Sequence, residues 1–231
     1  MTALIILSTG LFPDSEGEVL EWLNDLRDKN GLAELEQERI LALTAREYAE
    51  TLKLHNRLSH RDLDRKTALD RFQAHGGSSL IVGEIIGLGP DLRAVAQAWL
   101  ESAKHLEVIL KKNWTHSGAG VAAISGRKIW VVLFTIKLVE DLRIGAQAQG
   151  YTVSGAFNTD DVQKPVLLSG ITRLEPLKWD PKTGAFLFYI PSSASSLYHR
   201  LGYRTLEGRM KITDAFYPDR IATFFPEKEY R

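Results

Sequence analysis

The stretch Ala98-Trp99-Leu100-Glu101-Ser102-Ala103-Lys104-His105-Leu106-Glu107-Val108-Ile109-Leu110, with the runs at 120–124 and 128–136 that follow it, decides the fold class. Leu92, Val95, Ala96 and Trp99 recur at helical spacing behind Asp91, a residue suited to cap the helix. Residues 104–112 also read as helix. The pattern then changes: 120–124 and 128–136 are rich in β-branched and aromatic residues, and Ser125-Gly126-Arg127 between them reads as a hairpin connection. A chain that passes from a helical half into a strand-rich half belongs to the α+β class.

Outward from this stretch, the first half stays helical. Ser15 and Glu18 fit a capping box, and Val19, Trp22, Leu23 and Leu26 form an apolar stripe that Asn30-Gly31 ends. A second helix is expected over 36–57, with Leu41, Ala45, Tyr48, Leu52 and His55 on one face. A shorter one fits 66–73. Gly76-Gly77-Ser78-Ser79 is a loop, and Leu80-Ile81-Val82 is a short apolar run leading into Gly83-Glu84. In the other direction, 138–150 is polar and rich in Ala, Gln and Gly, and reads as a linker. Strands are expected at 151–157, 166–172, 185–190, 209–213 and 221–225, at the spacing of a sandwich or small barrel. The run 185–190 is apolar on both faces and suits a central strand. The expected organisation is therefore a first domain at 1–137, a linker at 138–150 and a β-rich domain at 151–231.

Composition narrows the function classes. Of 231 residues, 44% are hydrophobic, enough for a real core, and 29 Lys and Arg balance 29 Asp and Glu. A neutral chain has no electrostatic footprint for nucleic acid. With no cysteine in the sequence, disulfide scaffolds, thiol catalysis and Cys-ligated metal sites are excluded. No run approaches the ~20 apolar residues of a membrane span. The apolar start at 3–7 lacks a basic flank and a small-residue cleavage site. It reads as a short strand, the trimmed end of a leader, or an added sequence.

Six histidines are the main chemical candidates. His60 follows a helix end, Glu84 follows the short apolar run, and His105 lies on a helix four residues after Glu101, at a spacing that shares a face. Two imidazoles and one or two carboxylates suit a divalent cation or an acid–base pair. The bland alternative is a set of surface or capping histidines, since no local metal motif is present. His55 reads as a core histidine, His75 as a turn residue, and His199 has no acidic neighbour in sequence. Ser59 and Ser102 lie near histidines, but no nucleophile elbow or phosphate-cradling loop appears. Trp179, Tyr189, Tyr198 and Tyr203 could stack on sugars, although strand aromatics more often fill cores.

Taken in order, several segments resemble the CAP superfamily, also called SCP/TAPS, in its bacterial cysteine-free branch. The resemblance covers about 12–137. Asn24, Arg27, Gly31 and Leu32 match the opening helix, Leu58-Ser59-His60 and Asp70-Arg71-Phe72 match further segments, and Gly83-Glu84 matches the start of Gly-Glu-Asn. The stretch 98–110 is similar to the family's Ala-Trp…Ser-Pro-Gly-His segment, and Thr115-His116-Ser117-Gly118-Ala119-Gly120-Val121 to Thr-His-Ile-Gly-Ile-Gly-Val. The resemblance implies an α-β-α sandwich with a three-stranded core sheet, and the strand spacing beyond it is that of a small all-β domain. It also implies a cleft with two His and two Glu that holds zinc in some members. His60, Glu84 and His105 occupy three of those positions. The fourth falls at Ser102, with Glu101 one residue away; Ile85 replaces the family's Asn, and Ala103-Lys104 replaces Pro-Gly.

Three functions follow from the resemblance. The first is a non-catalytic module, secreted or displayed at the cell surface or periplasm, with a His/Glu cleft for a protein, glycan or lipid ligand. The second is a metal-assisted hydrolase in which His60 and His105 hold the cation and Glu84 is the base. The third is a lipid or sterol carrier. No helix carries the excess of exposed apolar positions that would favour the third.

Overall fold

A computed structural model describes residues 16–219. The strands read at 3–7 and 221–225 and the Ser15 cap lie outside the described residues. The helices are α1 (Glu16–Asp28), α2 (Arg39–Leu54), α3 (Ala68–Ala74), α4 (Leu92–Glu101) and α5 (Ala103–Ile109). The early strands are β1 (Glu36–Gln37), β2 (Val82–Gly89), β3 (His116–Ile124) and β4 (Arg127–Thr135). The later ones are β5 (Val139–Gln147), β6 (Gly150–Phe157), β7 (Val162–Ser169), β8 (Thr172–Leu174), β9 (Lys178–Trp179), β10 (Ala185–Pro191), β11 (His199–Thr205) and β12 (Met210–Phe216). They form three four-stranded sheets, ordered β1-β3-β4-β2, β5-β6-β10-β9 and β12-β11-β7-β8. The mixture of helices and sheets agrees with the expected α+β class.

The chain divides into two compact units. Within the described residues the first comprises 16–60, 84–112 and 117–133, and the second 61–83, 113–116 and 134–219.

The first unit is built on the sheet β1-β3-β4-β2. The two-residue β1 adds a short edge to the three strands that the resemblance implies. Ile129 to Leu133 of β4 are buried without alternation, so both faces of this strand are covered. Helix α2 lies against β3 so closely that a Cβ on Gly118 or Gly120 would run into the α2 backbone at Ala42 or Arg46. The β3–β4 connection needs only two residues, because Ser125 (φ 46°) and Gly126 (φ 74°) both adopt the left-handed conformation of a tight hairpin.

The opening-helix motif acquires a physical meaning here. Val19, Trp22, Leu23 and Leu26 form the buried stripe of α1, as their spacing requires. Asn24 acts as a strand mimic: its Nδ2 donates to the Leu35 carbonyl at 3.0 Å, and its Oδ1 accepts from the Leu35 amide at 2.8 Å. Arg27 is fully buried and donates to the carbonyls of Ala33 (2.9 Å), Ile109 (3.0 Å) and Lys111 (3.1 Å). Its fork thus ties α1 to the turn after it and to the end of α5.

The second unit contains the two later sheets. Phe157, Phe186, Phe188, Ile190, Leu167, Leu201, Tyr203 and Phe216 share one apolar core. The run read as a central strand is β10, which lies between β6 and β9. The stretch 138–150, read as a linker, carries β5 instead, paired with β6 in a hairpin. Its buried residues Val139 and Ile144 are five positions apart, and the pairing with β6 shifts register between Glu140 and Arg143, so no regular alternation marks the strand. Strand β11 is likewise absent from the sequence reading. Its alternating positions His199, Leu201, Tyr203 and Thr205 are all buried, but two of them are polar residue types, so the apolar period is weak.

Candidate functional site

The three residues that match the family's cleft all lie in the first unit. His60 follows α2 by a short turn. Tyr48, buried on α2, anchors that turn by donating its hydroxyl hydrogen to the Ser59 carbonyl at 2.6 Å. Glu84 belongs to β2 itself, which begins at Val82. Two residues on, the Ile86 carbonyl accepts the Trp99 indole N–H at 3.1 Å, and Trp99 packs against Trp22 with ring centroids 5.7 Å apart. Trp99 therefore fixes α4 against the strand that carries Glu84, and α5 follows directly with His105.

His60 Nδ1 lies 2.8 Å from Glu84 Oε1. A carboxylate can only accept, so Nδ1 carries the hydrogen and the tautomer is set. The two side chains differ sharply in exposure, 61% for His60 and 5% for Glu84. The geometry is that of an exposed imidazole oriented from behind by a buried acid. His105 is half-buried, and its Nδ1 is buried with no hydrogen-bond partner among the described residues. Burial pushes its pKa down, and the nearby His60 pushes it further in the same direction.

Glu101 stands apart from this group. The expectation that it shares a helix face with His105 fails because the helix breaks between them. Ser102 is extended (φ −97°, ψ 109°), ending α4 and starting α5. Glu101 instead accepts a hydrogen bond from Gln97 Nε2 at 2.7 Å on an exposed surface. Ser102 serves as that joint and makes no side-chain cap bond to α5.

The donor types suit a divalent cation, but their arrangement does not form a ligand set. Among the described residues no group of three or more His, Asp or Glu side chains is placed to hold a metal ion. His60 Nδ1 is already engaged by Glu84.

The other histidines fall elsewhere. His55 is an exposed C-cap of α2, not a core residue, because the helix ends at Leu54 before the apolar face reaches it. His75 caps α3, in keeping with a turn role. His116 is buried at the start of β3, with Nδ1 2.9 Å from Thr115 Oγ1. No local pattern signals the burial of His199, whose Nδ1–H donates to the Leu197 carbonyl at 2.7 Å while Nε2 is buried without a partner among the described residues. Of the aromatics weighed for sugar stacking, Tyr203 is a core residue, Trp179 and Tyr189 are half-buried, and Tyr198 is exposed.

Known proteins resemble the chain over the span that carries these residues. The family model for CAP, described as the cysteine-rich secretory protein family, matches residues 20–134. The uncharacterized protein YkwD of Bacillus subtilis (strain 168) is 31% identical over 120 residues, which are 52% of this chain and 46% of that protein. The uncharacterized membrane protein YlbC of the same organism is 32% identical over 108 residues, 46% of this chain and 31% of that protein. This chain thus spans less than half the length of either relative. Among solved structures, an outer surface protein from Borrelia burgdorferi is 29% identical with TM-score 0.48, covering 51% of this chain and 88% of its own. An extracellular SCP-domain protein from Bacillus anthracis str. Ames is 25% identical with TM-score 0.49, covering 53% and 40%. Among the described residues no helix is long and apolar enough to cross a membrane.

Proposed function

Residues 20–134 belong to the CAP family, the cysteine-rich secretory protein family, and from that premise we propose that this part of the chain is a binding module that works outside the cytoplasm, secreted or at the cell surface. Its ligand is taken beside His60, Glu84 and His105. The observation that carries the reading is the 2.8 Å contact between an exposed His60 and a buried Glu84. A buried carboxylate that orients an exposed ring is a polar group held ready at a surface. His105, whose Nδ1 is buried without a partner among the described residues, would offer the ligand a second imidazole. The ligand is a peptide or glycan with hydrogen-bonding groups for the two rings. A divalent cation at this place would have to exchange with the His60–Glu84 hydrogen bond.

The test is a panel of peptides, glycans and lipid vesicles against the full chain, compared with His60→Ala and with Glu84→Gln. Loss of a bound ligand in both variants, with folding intact by circular dichroism, supports the reading. Binding that survives both removes it. Zinc calorimetry on the same three proteins tests the cation: heat from the wild type that is lost in His60→Ala assigns it to this cleft.

A hydrolase is the second reading, and the His60–Glu84 pair is what favours it. With Glu84 fixing the tautomer, His60 would be the proton acceptor and Glu84 its orienting partner. Turnover of a peptide or ester panel that falls on His60→Ala would move the protein into that class.

A further inference from the structure

In the second unit a carboxylic acid lies where no charge is solvated. Asp214, on the edge strand β12, is 3% exposed. Its Oδ1 accepts the Ser78 hydroxyl hydrogen at 2.6 Å, and its Oδ2 is buried without a partner among the described residues. The segment carrying Ser78 is fastened along the strand. Ser79 forms an antiparallel bridge with Asp214, and the Ala215 amide donates to the Ser78 carbonyl at 2.8 Å. On its other side the segment meets the end of β4. Ser79 Oγ donates to the Ile136 carbonyl at 2.9 Å, and Thr135 Oγ1 lies 2.7 Å from the Ile81 carbonyl.

We propose that Asp214 is a neutral acid that fastens the Ser78–Ser79 segment to β12, and that its ionisation at raised pH loosens this fastening. The segment is the approach to β2, three residues before that strand begins at Val82. Few groups would support a carboxylate here. The loop offers the Ser78 hydroxyl, the strand itself offers Thr213, and Lys137 is the cation whose field reaches the site. Across the sheet, β11 places apolar Leu201 opposite Asp214. Arg200, exposed, stands opposite Ala215, and His199, two pairs from Leu201 and opposite Phe216, is itself held towards the uncharged form by burial. Burial raises the Asp214 pKa, against the opposing pull of Ser78, Thr213 and Lys137. On ionising, Asp214 gives its proton to solvent and becomes a carboxylate with too few donors, which favours opening of the segment to water.

Amide hydrogen exchange on the full chain tests this, with the Ala215 amide as reporter and the Phe188 amide in β10 as reference. In wild type, protection of Ala215 relative to Phe188 should fall by about tenfold or more between pH 5 and 9, as one ionisation is coupled to opening. Asp214→Asn keeps an acceptor for Ser78 and cannot ionise, so its ratio should stay within about twofold over the same range. Equal pH dependence in the two proteins, or none in wild type, overturns the proposal. If the variant does not fold, infrared absorption of the wild type decides. A neutral-acid carbonyl band at pH 6 that disappears in step with the loss of Ala215 protection supports it, and absence of the band refutes it.

Discussion

Replacing Arg27 by Ala probes whether the opening-helix motif is structural. The guanidinium is fully buried and donates to three main-chain carbonyls, at Ala33, Ile109 and Lys111. Hydrogen bonds from a charged donor contribute about 1.5–3 kcal/mol each, and an abandoned buried acceptor costs about 1–3 kcal/mol. Water would enter beside the less buried two carbonyls, so the three together should cost about 3–5 kcal/mol, among the larger effects of single substitutions. Burial lowers the Arg27 pKa, so part of the gross gain is already offset by desolvation. The assay is urea unfolding followed by tryptophan fluorescence, for which Trp22, on the same helix, is a native reporter. With a slope of about 1–3 kcal/mol per molar, the midpoint should fall by about 2 M. Arg27→Lys keeps the charge but not the fork, and should recover less than half of the loss. A loss under about 1 kcal/mol for the Ala variant, or full recovery by Lys, would refute the clamp.

Gly120→Ala should destabilise the first unit by about 1–3 kcal/mol or more, since the added methyl meets the α2 backbone at Arg46, which has no rotamer to yield; the same urea series measures it. His199 sets an acid limit. Burial depresses its pKa, so the unfolded chain takes up a proton first as pH falls below about 6.5, and stability should decline from there down to the folded pKa. His105 titrates in the same sense. His199→Phe should therefore reduce the slope of stability between pH 7 and 5 without abolishing it, and an unchanged slope would show that His199 does not contribute.

The residues that shape the first unit are legible because each acts locally or by a recurring pattern. The α1 stripe, the Asp91 cap on Ala94 (2.8 Å) and the β3–β4 hairpin follow from spacing and turn chemistry alone. The pairing of His60 with Glu84 depends on how α2 and β2 are placed and is accessible in the sequence only through family resemblance. The break at Ser102 is hidden because Ser and Ala continue a helical pattern, and nothing in Glu101–His105 spacing signals an extended joint. In the second unit, β5 is obscured by the register shift between Glu140 and Arg143, and β11 because His199 and Thr205 take buried positions that an apolar period would need. No local pattern signals the burial of Asp214, whose hydroxyl partner Ser78 is distant in sequence.

The imidazole titration of His105, followed by nuclear magnetic resonance in wild type and in His60→Ala, bears most directly on the proposed cleft. Burial and the neighbouring His60 together depress the wild-type pKa. With His60 removed, the titration should move up towards the ordinary value but stop short of it, because burial persists. An unchanged His105 titration would mean that the two rings do not share a site, and the binding cleft would have no basis.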